Sequence, residues 1–342
     1  MPEKTNVGII GCGFFAQNHL HSWHDLQSGG VNITAVCDID AAKAQAAAHK
    51  FSIPRWYTDA RTMLHQEKLN LVDIITRQET HRELVELAIQ HRVPTIVQKP
   101  FAPDLASCAA MAETAKKAGV FLAVHENFRF QKPMRKLVEV LRSGEIGAPS
   151  WARISFRTGY DVYQGQPYLM NEQRLVILDL GVHVLDLART FMGEAECISA
   201  ETQRRNPQVR GEDTATMLLR HRSGTVSVVE CTYESRRLPD NFPETVVEIE
   251  GSRGAVSIDA GLIMHVTADG RRRSIDVDVP LLSWARRPWH VVQESVLATC
   301  SHMISSLRAG LLPDTSAEDN LRTFALAEAA YSASTLRKLI FL

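Results

Sequence analysis

The order of apolar and polar positions changes character part-way along the chain. In the first part, short apolar runs alternate with stretches of helical period. Residues 7–11 (VGIIG) form an apolar run stopped by glycine, and Val31–Cys37 alternates before ending on Asp38. Further strands are expected at 72–76, 95–97 and 120–124, with helices at 41–51, 81–90 and 105–118. Strands alternating with helices in this way predict a parallel, doubly wound α/β sheet, whose ligands bind at the carboxyl ends of the strands. Thr76, Gln98 and Lys99 stand at such ends, and Glu126 stands one strand further on.

From Trp151 onward the texture is different. Segments 151–158, 197–204, 214–222, 225–235, 245–250 and 255–259 read as strands with no helices between most of them. Ser223-Gly224 and Ser252-Arg253-Gly254 supply turns. The pattern predicts a largely antiparallel open sheet with helices 133–143 and 177–191 on one face, and helices 291–309 and 317–338 closing the chain. A chain of 342 residues exceeds what one core usually supports. The expected division is an α/β domain over residues 1–124 and an α+β domain over 125–342.

Charge and composition remove several classes of function. Lys and Arg number 38 against 39 Asp and Glu, a formal charge of -1, which gives no footing for nucleic-acid binding. Arg271-Arg272-Arg273 is too short a run to change this and reads as a solvated turn. No apolar stretch approaches the roughly 20 residues of a membrane helix, and the N-terminus has no secretory apolar region. A cytoplasmic location is expected. The cysteines (Cys12, Cys37, Cys108, Cys197, Cys231 and Cys300) are scattered and never form Cys-x-x-Cys, which argues against a zinc cluster or a disulfide framework. His19, His21 and His24 are close in sequence, but on a helix His19 and His21 point to different faces. With no acidic or cysteine partner evident to complete a set, they read as surface or packing residues, and no metal is expected.

The most specific local signal is Gly11-Cys12-Gly13-Phe14-Phe15-Ala16, a Gly-x-Gly-x-x-Ala turn between a strand and a helix. That is the context a dinucleotide fingerprint requires, and it makes the first domain a Rossmann fold. Gly11 would make the tight turn. Gly13 would let a pyrophosphate approach the helix N-terminus, where free N–H groups favour anions. Ala16 would let the helix lie close on the strand. Asp38, 22 residues after Ala16, stands where an acid binds the adenosine ribose. Its charge, followed by Ile39 rather than a cation, predicts NAD over NADP.

Several further motifs fall in order. They are Thr76 with His81 five residues on, Gln98-Lys99-Pro100, Asn127-Phe128-Arg129-Phe130, and Asp179-Leu180-Gly181-Val182-His183-Val184-Leu185-Asp186. Taken with the glycine turn and Asp38, they make the chain resemble, over nearly its whole length, the glucose-fructose oxidoreductase / inositol dehydrogenase / rhizopine-catabolism (Gfo/Idh/MocA) oxidoreductases. The resemblance implies a cofactor site for NAD at Gly11, Gly13, Phe14, Phe15, Ala16, Asp38, Thr76, His81, Gln98 and Lys99. It implies catalysis by Lys99, Asp179 and His183, and a homodimer or homotetramer formed through the free face of the second sheet. Two departures stand out: Gln98 replaces the usual glutamate of Glu-Lys-Pro, and Arg77-Gln78 stands where Pro-Asn is common. The first is expected to alter, without removing, a hydrogen bond near the nicotinamide ribose; the second puts a long cation near the cofactor cleft.

Asp179 and His183 are spaced i, i+4 and on an α-helix would share one face. Taken locally, a buried histidine bonded to an aspartate is as good a reading as a catalytic pair; the resemblance favours catalysis. Gly181 between them is odd in a helix and suggests close approach by a substrate or another backbone. Removing a hydride from a CH–OH carbon requires a proton acceptor and a stabiliser for the developing alkoxide. His183 suits the first role near neutrality and Lys99 the second, with Asp179 orienting the imidazole or the substrate. Asn127, Arg129, Arg157, Tyr160 and Asp161 are candidate substrate residues, with Tyr163, Gln164 and Trp289-His290 as outer candidates. Their mix of donors and acceptors suits a small neutral carbohydrate better than a phosphorylated ligand. The stretches 125–130 and 156–161 are similar to the branch of the family that oxidises aldoses at the anomeric carbon. Polyol dehydrogenation, a transient-NAD isomerase or glycosidase, and a non-enzymatic NAD-binding regulator remain the alternatives.

Overall fold

The computed structural model describes residues 4–240 and 242–342, and these divide into two compact units. The first contains the described residues up to Glu126 together with Val296–Arg322; the second contains Asn127–Ser295 and Thr323–Leu342. The second domain expected over 125–342 is thus interrupted by a segment that clusters with the first unit.

The first unit opens with β1 (Thr5–Ile10), α1 (Ala16–Asp25), β2 (Val31–Cys37), α2 (Ala41–Lys50), β3 (Arg55–Tyr57) and α3 (Ala60–Gln66). It continues with β4 (Leu71–Ile74), α4 (Gln78–Gln90), β5 (Thr95–Gln98), α5 (Leu105–Ala118) and β6 (Leu122–His125). The strands form one parallel sheet in the order β3-β2-β1-β4-β5-β6, a doubly wound order whose direction reverses beside β1. Because both faces carry helices, the central strands are buried along their length rather than alternating, and most of their side chains are apolar. Val7, Ile9, Ile33, Val36, Leu71 and Ile96 join Leu20 and Trp23 of α1 in one core. Aspartates cap three of the helices: Asp40 accepts from Ala42 N–H, Asp59 from Thr62 N–H, and Asp104 from Ser107 N–H. No side chain caps α1 or α4.

The pattern analysis anticipated this alternation but not β3 or α3. β3 is three residues on a sheet edge with two exposed side chains, too short to show a period.

The second unit contains α6 (Lys132–Ser143), β7 (Pro149–Arg157), α7 (Val182–Met192), β8 (Ala195–Gln203), β9 (Thr214–His221) and β10 (Val226–Thr232). β11 (Val246–Gly251), β12 (Gly254–Asp259), β13 (Ile263–Ala268) and β14 (Arg271–Asp276) follow. α8 (His290–Ala309) and α9 (Ala317–Leu336) each pass from one unit to the other, and β15 (Ile340–Phe341) ends the chain. Nine strands form an open sheet in the order β14-β13-β12-β11-β7-β10-β9-β8-β15, antiparallel except for the β7–β10 pair. β9 buries Ala215, Met217, Leu219 and His221 and exposes Thr216, Leu218 and Arg220, the alternation of a sheet with only one covered face. The run Arg271-Arg272-Arg273 is not a turn. It begins β14, where three exposed cations blunt a free sheet edge.

No helix among the described residues is long and apolar enough to cross a membrane.

Candidate cofactor and catalytic site

The two glycines of the loop from β1 to α1 have different surroundings. Gly11 has φ of +99°, and a Cβ there would lie 2.2 Å from the Ile75 carbonyl oxygen, so only glycine fits. At Gly13 a Cβ would meet no protein atom within 4 Å, so the protein's own packing does not demand glycine there. The uncapped α1 start beside it offers peptide N–H groups to an anion. Ala16 is buried at the first turn, Phe15 packs on the core, and Phe14 is half-exposed. Asp38 follows the last residue of β2 and is tied to the loop: its Oδ2 accepts Cys12 N–H at 2.7 Å and its Oδ1 accepts Asp40 N–H at 2.9 Å. These residues fit a dinucleotide: a glycine turn, an open cradle, a free helix start and a fixed acid.

Two residues expected at the cofactor, His81 and Gln98, turn their polar atoms inward. His81 is fully buried, with Nδ1 at 3.2 Å from the Phe101 carbonyl oxygen and Nε2 at 3.1 Å from that of Thr76. Burial lowers its pKa, and a neutral ring bears a single N–H, so it donates to one of these two carbonyl oxygens and only lies close to the other. The Thr76 hydroxyl lies 2.8 Å from that of Thr80. Gln98 does not turn to a ribose. Its buried amide accepts Lys99 N–H at 2.7 Å and faces His19 Nε2 at 3.1 Å. Arg77 pairs with Glu79 at 3.2 Å on the exposed start of α4.

His19 differs most from its expected reading. It is a packing residue, as expected, but it has the acidic partner that was not evident along the chain: its Nδ1 lies 2.7 Å from Asp73. Ligand atoms of His19, His125 and Cys300 also lie within 4.8 Å of one another. These partners come from β4, β6 and α8, and only the fold assembles them.

In the second unit, Asp179 does not sit on an α-helix with His183. It lies in a π-helical turn, Ile177–Gly181, that leads into α7. Such single turns widen a helix locally and recur at functional sites. Gly181 is explained by packing: a Cβ would press on Ile177 Cβ and Cγ2 at 3.3 Å. The Tyr233 hydroxyl donates a hydrogen bond to Asp179 Oδ2. Burial, and then the Asp179 charge, push the Tyr233 phenol well above its ordinary pKa, so it stays a donor. His183 is buried on α7 with the Phe128 ring stacked on it, centroids 3.8 Å apart and planes 4° apart. Sequence reasoning named neither partner: Tyr233 lies outside every motif, and within Asn127-Phe128-Arg129-Phe130 it chose the polar side chains and passed over the ring.

The candidate substrate residues divide. Tyr160 stacks on Phe242 at 4.3 Å and receives the Trp289 indole N–H at 3.3 Å. Phe242 meets Phe156, and Phe156 meets Phe128, so an aromatic wall runs from Trp289 to the ring over His183. Tyr163 lies beside Tyr233, with its buried hydroxyl unpartnered among the described residues.

The other four have structural partners. The Arg129 guanidinium forks onto the fully buried Asp186, with Nε to Oδ2 at 2.7 Å. Asn127 is buried and donates to Ser295 Oγ at 2.6 Å. Arg157 joins Arg153 on Glu230, as their spacing on one strand predicts. Phe156 meets Phe128, so by alternation Arg157 lies on the opposite sheet face. Asp161 is exposed and caps a turn by accepting Tyr163 N–H at 3.1 Å.

Comparisons with known proteins bear on the family and the fold. Residues 5–126 match the model of an oxidoreductase family with an NAD-binding Rossmann fold, and residues 134–257 match a GFO/IDH/MocA C-terminal domain. A Rhizobium rhizogenes protein named D-apiose dehydrogenase is 45% identical over 95% of this chain and 94% of its own length. A protein of the same name from Paraburkholderia graminis is 46% identical over 96% of this chain and 87% of its own. The crystal structure of an Agrobacterium radiobacter oxidoreductase, in complex with NAD+, L-tartaric acid and magnesium, superposes with a TM-score of 0.97. It is 43% identical and covers 99% of this chain and 98% of its own.

Proposed function

The chain belongs to the Gfo/Idh/MocA oxidoreductases, and from that premise we propose that it oxidises an aldose at the anomeric carbon to a lactone, with D-apiose the first candidate. It is an NAD-dependent oxidoreductase acting on CH–OH groups. The observation that carries the finer reading is the near full-length match, at 45% identity, to a D-apiose dehydrogenase. The site chemistry supports it. Gly11, Gly13 and the start of α1 would hold the pyrophosphate, and Asp38 the adenosine ribose. When bound, NAD+ supplies the acceptor for the hydride leaving the CH–OH carbon.

The remaining work falls to side chains. His183 takes the hydroxyl proton, and an anomeric hydroxyl, more acidic than an ordinary alcohol, eases that transfer. Asp179, kept in place by the Tyr233 hydroxyl, orients the reacting groups and favours the imidazolium that forms. Lys99 stabilises negative charge on the reacting oxygen. Tyr160, Tyr163 and the Trp289–Phe242 wall offer hydroxyls and ring faces to a neutral sugar. The free face of the second sheet, carrying Leu218 among polar neighbours, is the surface through which a homodimer or homotetramer would form.

The test is turnover of apiose, xylose, glucose, galactose and myo-inositol with NAD, following NADH and product identity. A lactone from apiose, at the highest kcat/KM of the panel, is the expected result. Turnover of myo-inositol alone, with no lactone from any aldose, overturns the assignment.

A further inference from the structure

Asp73 is a fully buried carboxylate in the middle of a parallel sheet, between Ile9 and Ile96 of the neighbouring strands. A buried charge of this kind persists only when hydrogen bonds replace its water. Asp73 Oδ2 accepts twice, from the Trp23 indole N–H at 2.7 Å and from His19 Nδ1 at 2.7 Å, and all three side chains are fully buried. A carboxylate only accepts, so Nδ1 of His19 bears the proton. Its other nitrogen faces the Gln98 side-chain nitrogen at 3.1 Å. The orientation of that amide is set at its far end, where Oε1 accepts the Lys99 peptide N–H at 2.7 Å. The amide NH2 therefore points at His19, whose Nε2 must be a lone pair.

The donors thus run in one direction, from Lys99 N–H to Gln98, from Gln98 to His19, and from His19 to Asp73. His125 packs its ring at 4.1 Å from that of His19, and the Cys300 thiol lies 3.9 Å from His125 Nε2. A metal shared by His19, His125 and Cys300 would have to strip His19 from Asp73 or Gln98, since both ring nitrogens are already taken. The hydrogen-bonded reading keeps every one of these contacts.

We propose that Gln98, His19 and Asp73 are positioning residues for Lys99. The Gln98 amide holds the Lys99 peptide N–H at the end of β5 and fixes His19 as the neutral Nδ1–H tautomer anchored on Asp73. The proposal rests on Lys99 being the catalytic cation. The choice of an amide matters. An ionised glutamate at 98 would present acceptors at both ends, so His19 Nε2 would carry a proton as well. The buried trio would hold one net negative charge in either case: one carboxylate with two neutral groups, or two carboxylates with one imidazolium. Exchange of glutamine for glutamate therefore rewrites the proton on His19 while leaving the net charge beside Lys99 unchanged.

The test reads the proton directly. In the protein labelled with 15N-histidine at pH 7, with and without NAD, His19 should show a protonated Nδ1 and an unprotonated Nε2; His19→Gln assigns its signals. In Gln98→Glu both nitrogens should be protonated. Gln98→Leu, which can hold neither neighbour, should lose about tenfold or more in kcat with NAD affinity within about twofold, and Gln98→Glu should recover most of that loss. An Nε2–H tautomer or an imidazolium in the unmutated protein overturns the proposal. So does a folded Gln98→Leu with undiminished kcat. The tautomer is read on the unmutated chain, so a variant that fails to fold still leaves the claim open to refutation. Absence of sugar turnover by the unmutated enzyme would instead remove the reading of function while the tautomer still reports on the network.

Discussion

Arg129 offers the clearest separation of a structural from a substrate-binding role. Its guanidinium forks onto Asp186, which is fully buried and also accepts the Thr323 hydroxyl at 2.9 Å. The next cation, Arg189, stands at 3.8 Å and is itself forked onto Glu194. Arg129→Leu would keep the apolar stem but remove the fork from the buried Asp186 charge. Breaking a buried pair by removing one partner costs about 3–5 kcal/mol, chiefly the penalty of the charge left behind. For a unit of this size each kcal/mol shifts Tm by about 2–4 °C, so a fall on the order of 10 °C is expected. Arg129→Lys should recover part of it, because an ammonium restores the charge but not the fork. Replacing both partners, Arg129→Leu with Asp186→Leu, should cost less than the single change, since no charge is then stranded. Thermal and urea unfolding of the three variants measure the effect, alongside KM for the sugar. If Arg129→Leu melts within about 2 °C of the parent while KM rises steeply, the guanidinium serves the substrate and the ion-pair argument fails.

His183→Ala should lower kcat by about 10²-fold or more with little change in NAD affinity, since general acid–base catalysis typically supplies about 10²–10⁴; near-normal turnover would place the proton acceptor elsewhere. Asp38, fixed by two peptide N–H groups and followed by an Ile39 that is 95% exposed, should favour NAD over NADP by at least about tenfold in kcat/KM, or ~1.4 kcal/mol. Equal values for the two cofactors would refute it. Burial, with Asp38 or Asp59 as the next cause, pushes the thiols of Cys12 and Cys37 up to about 12. A thiol whose folded pKa is raised contributes stability that is complete below its unfolded value near 8.5 and is lost as pH climbs toward 12. Urea midpoints should accordingly fall between pH 8 and pH 10.5, and both thiols should resist alkylation at pH 8 until the protein unfolds.

How much of this was legible beforehand depends on whether a residue's partner is near it in sequence. The cofactor loop was, because Gly11, Gly13 and Ala16 act through backbone geometry that six consecutive residues determine, and Asp38 follows one strand later. Most of the parallel sheet was as well, since its buried strands are short apolar runs and its longer helices carry a period. The antiparallel sheet was legible as far as β12; β13 was missed although it buries Met264 and Val266, and β14, like β3 of the parallel sheet, is an exposed edge strand with little apolar face to mark it. Side-chain roles were least legible. His19 finds Asp73 across 54 residues and Gln98 across 79, Arg129 finds Asp186 across 57, and Asp179 finds Tyr233 across 54.

A motif match names the residue but not the direction in which its side chain points. Gln98, His81 and Arg129 all belong to stretches that mark the family, yet each turns its polar atoms into the protein. Such positions can be as specific to a family as ligand contacts are, because a buried polar side chain must find one geometry or be removed. For this chain, a substitution at Gln98, His81 or Arg129 should therefore first be read against the buried partner. Tyr160, Tyr163 and Phe128, which share an aromatic neighbourhood with Asp179 and His183, are the positions where a change should register first in substrate choice.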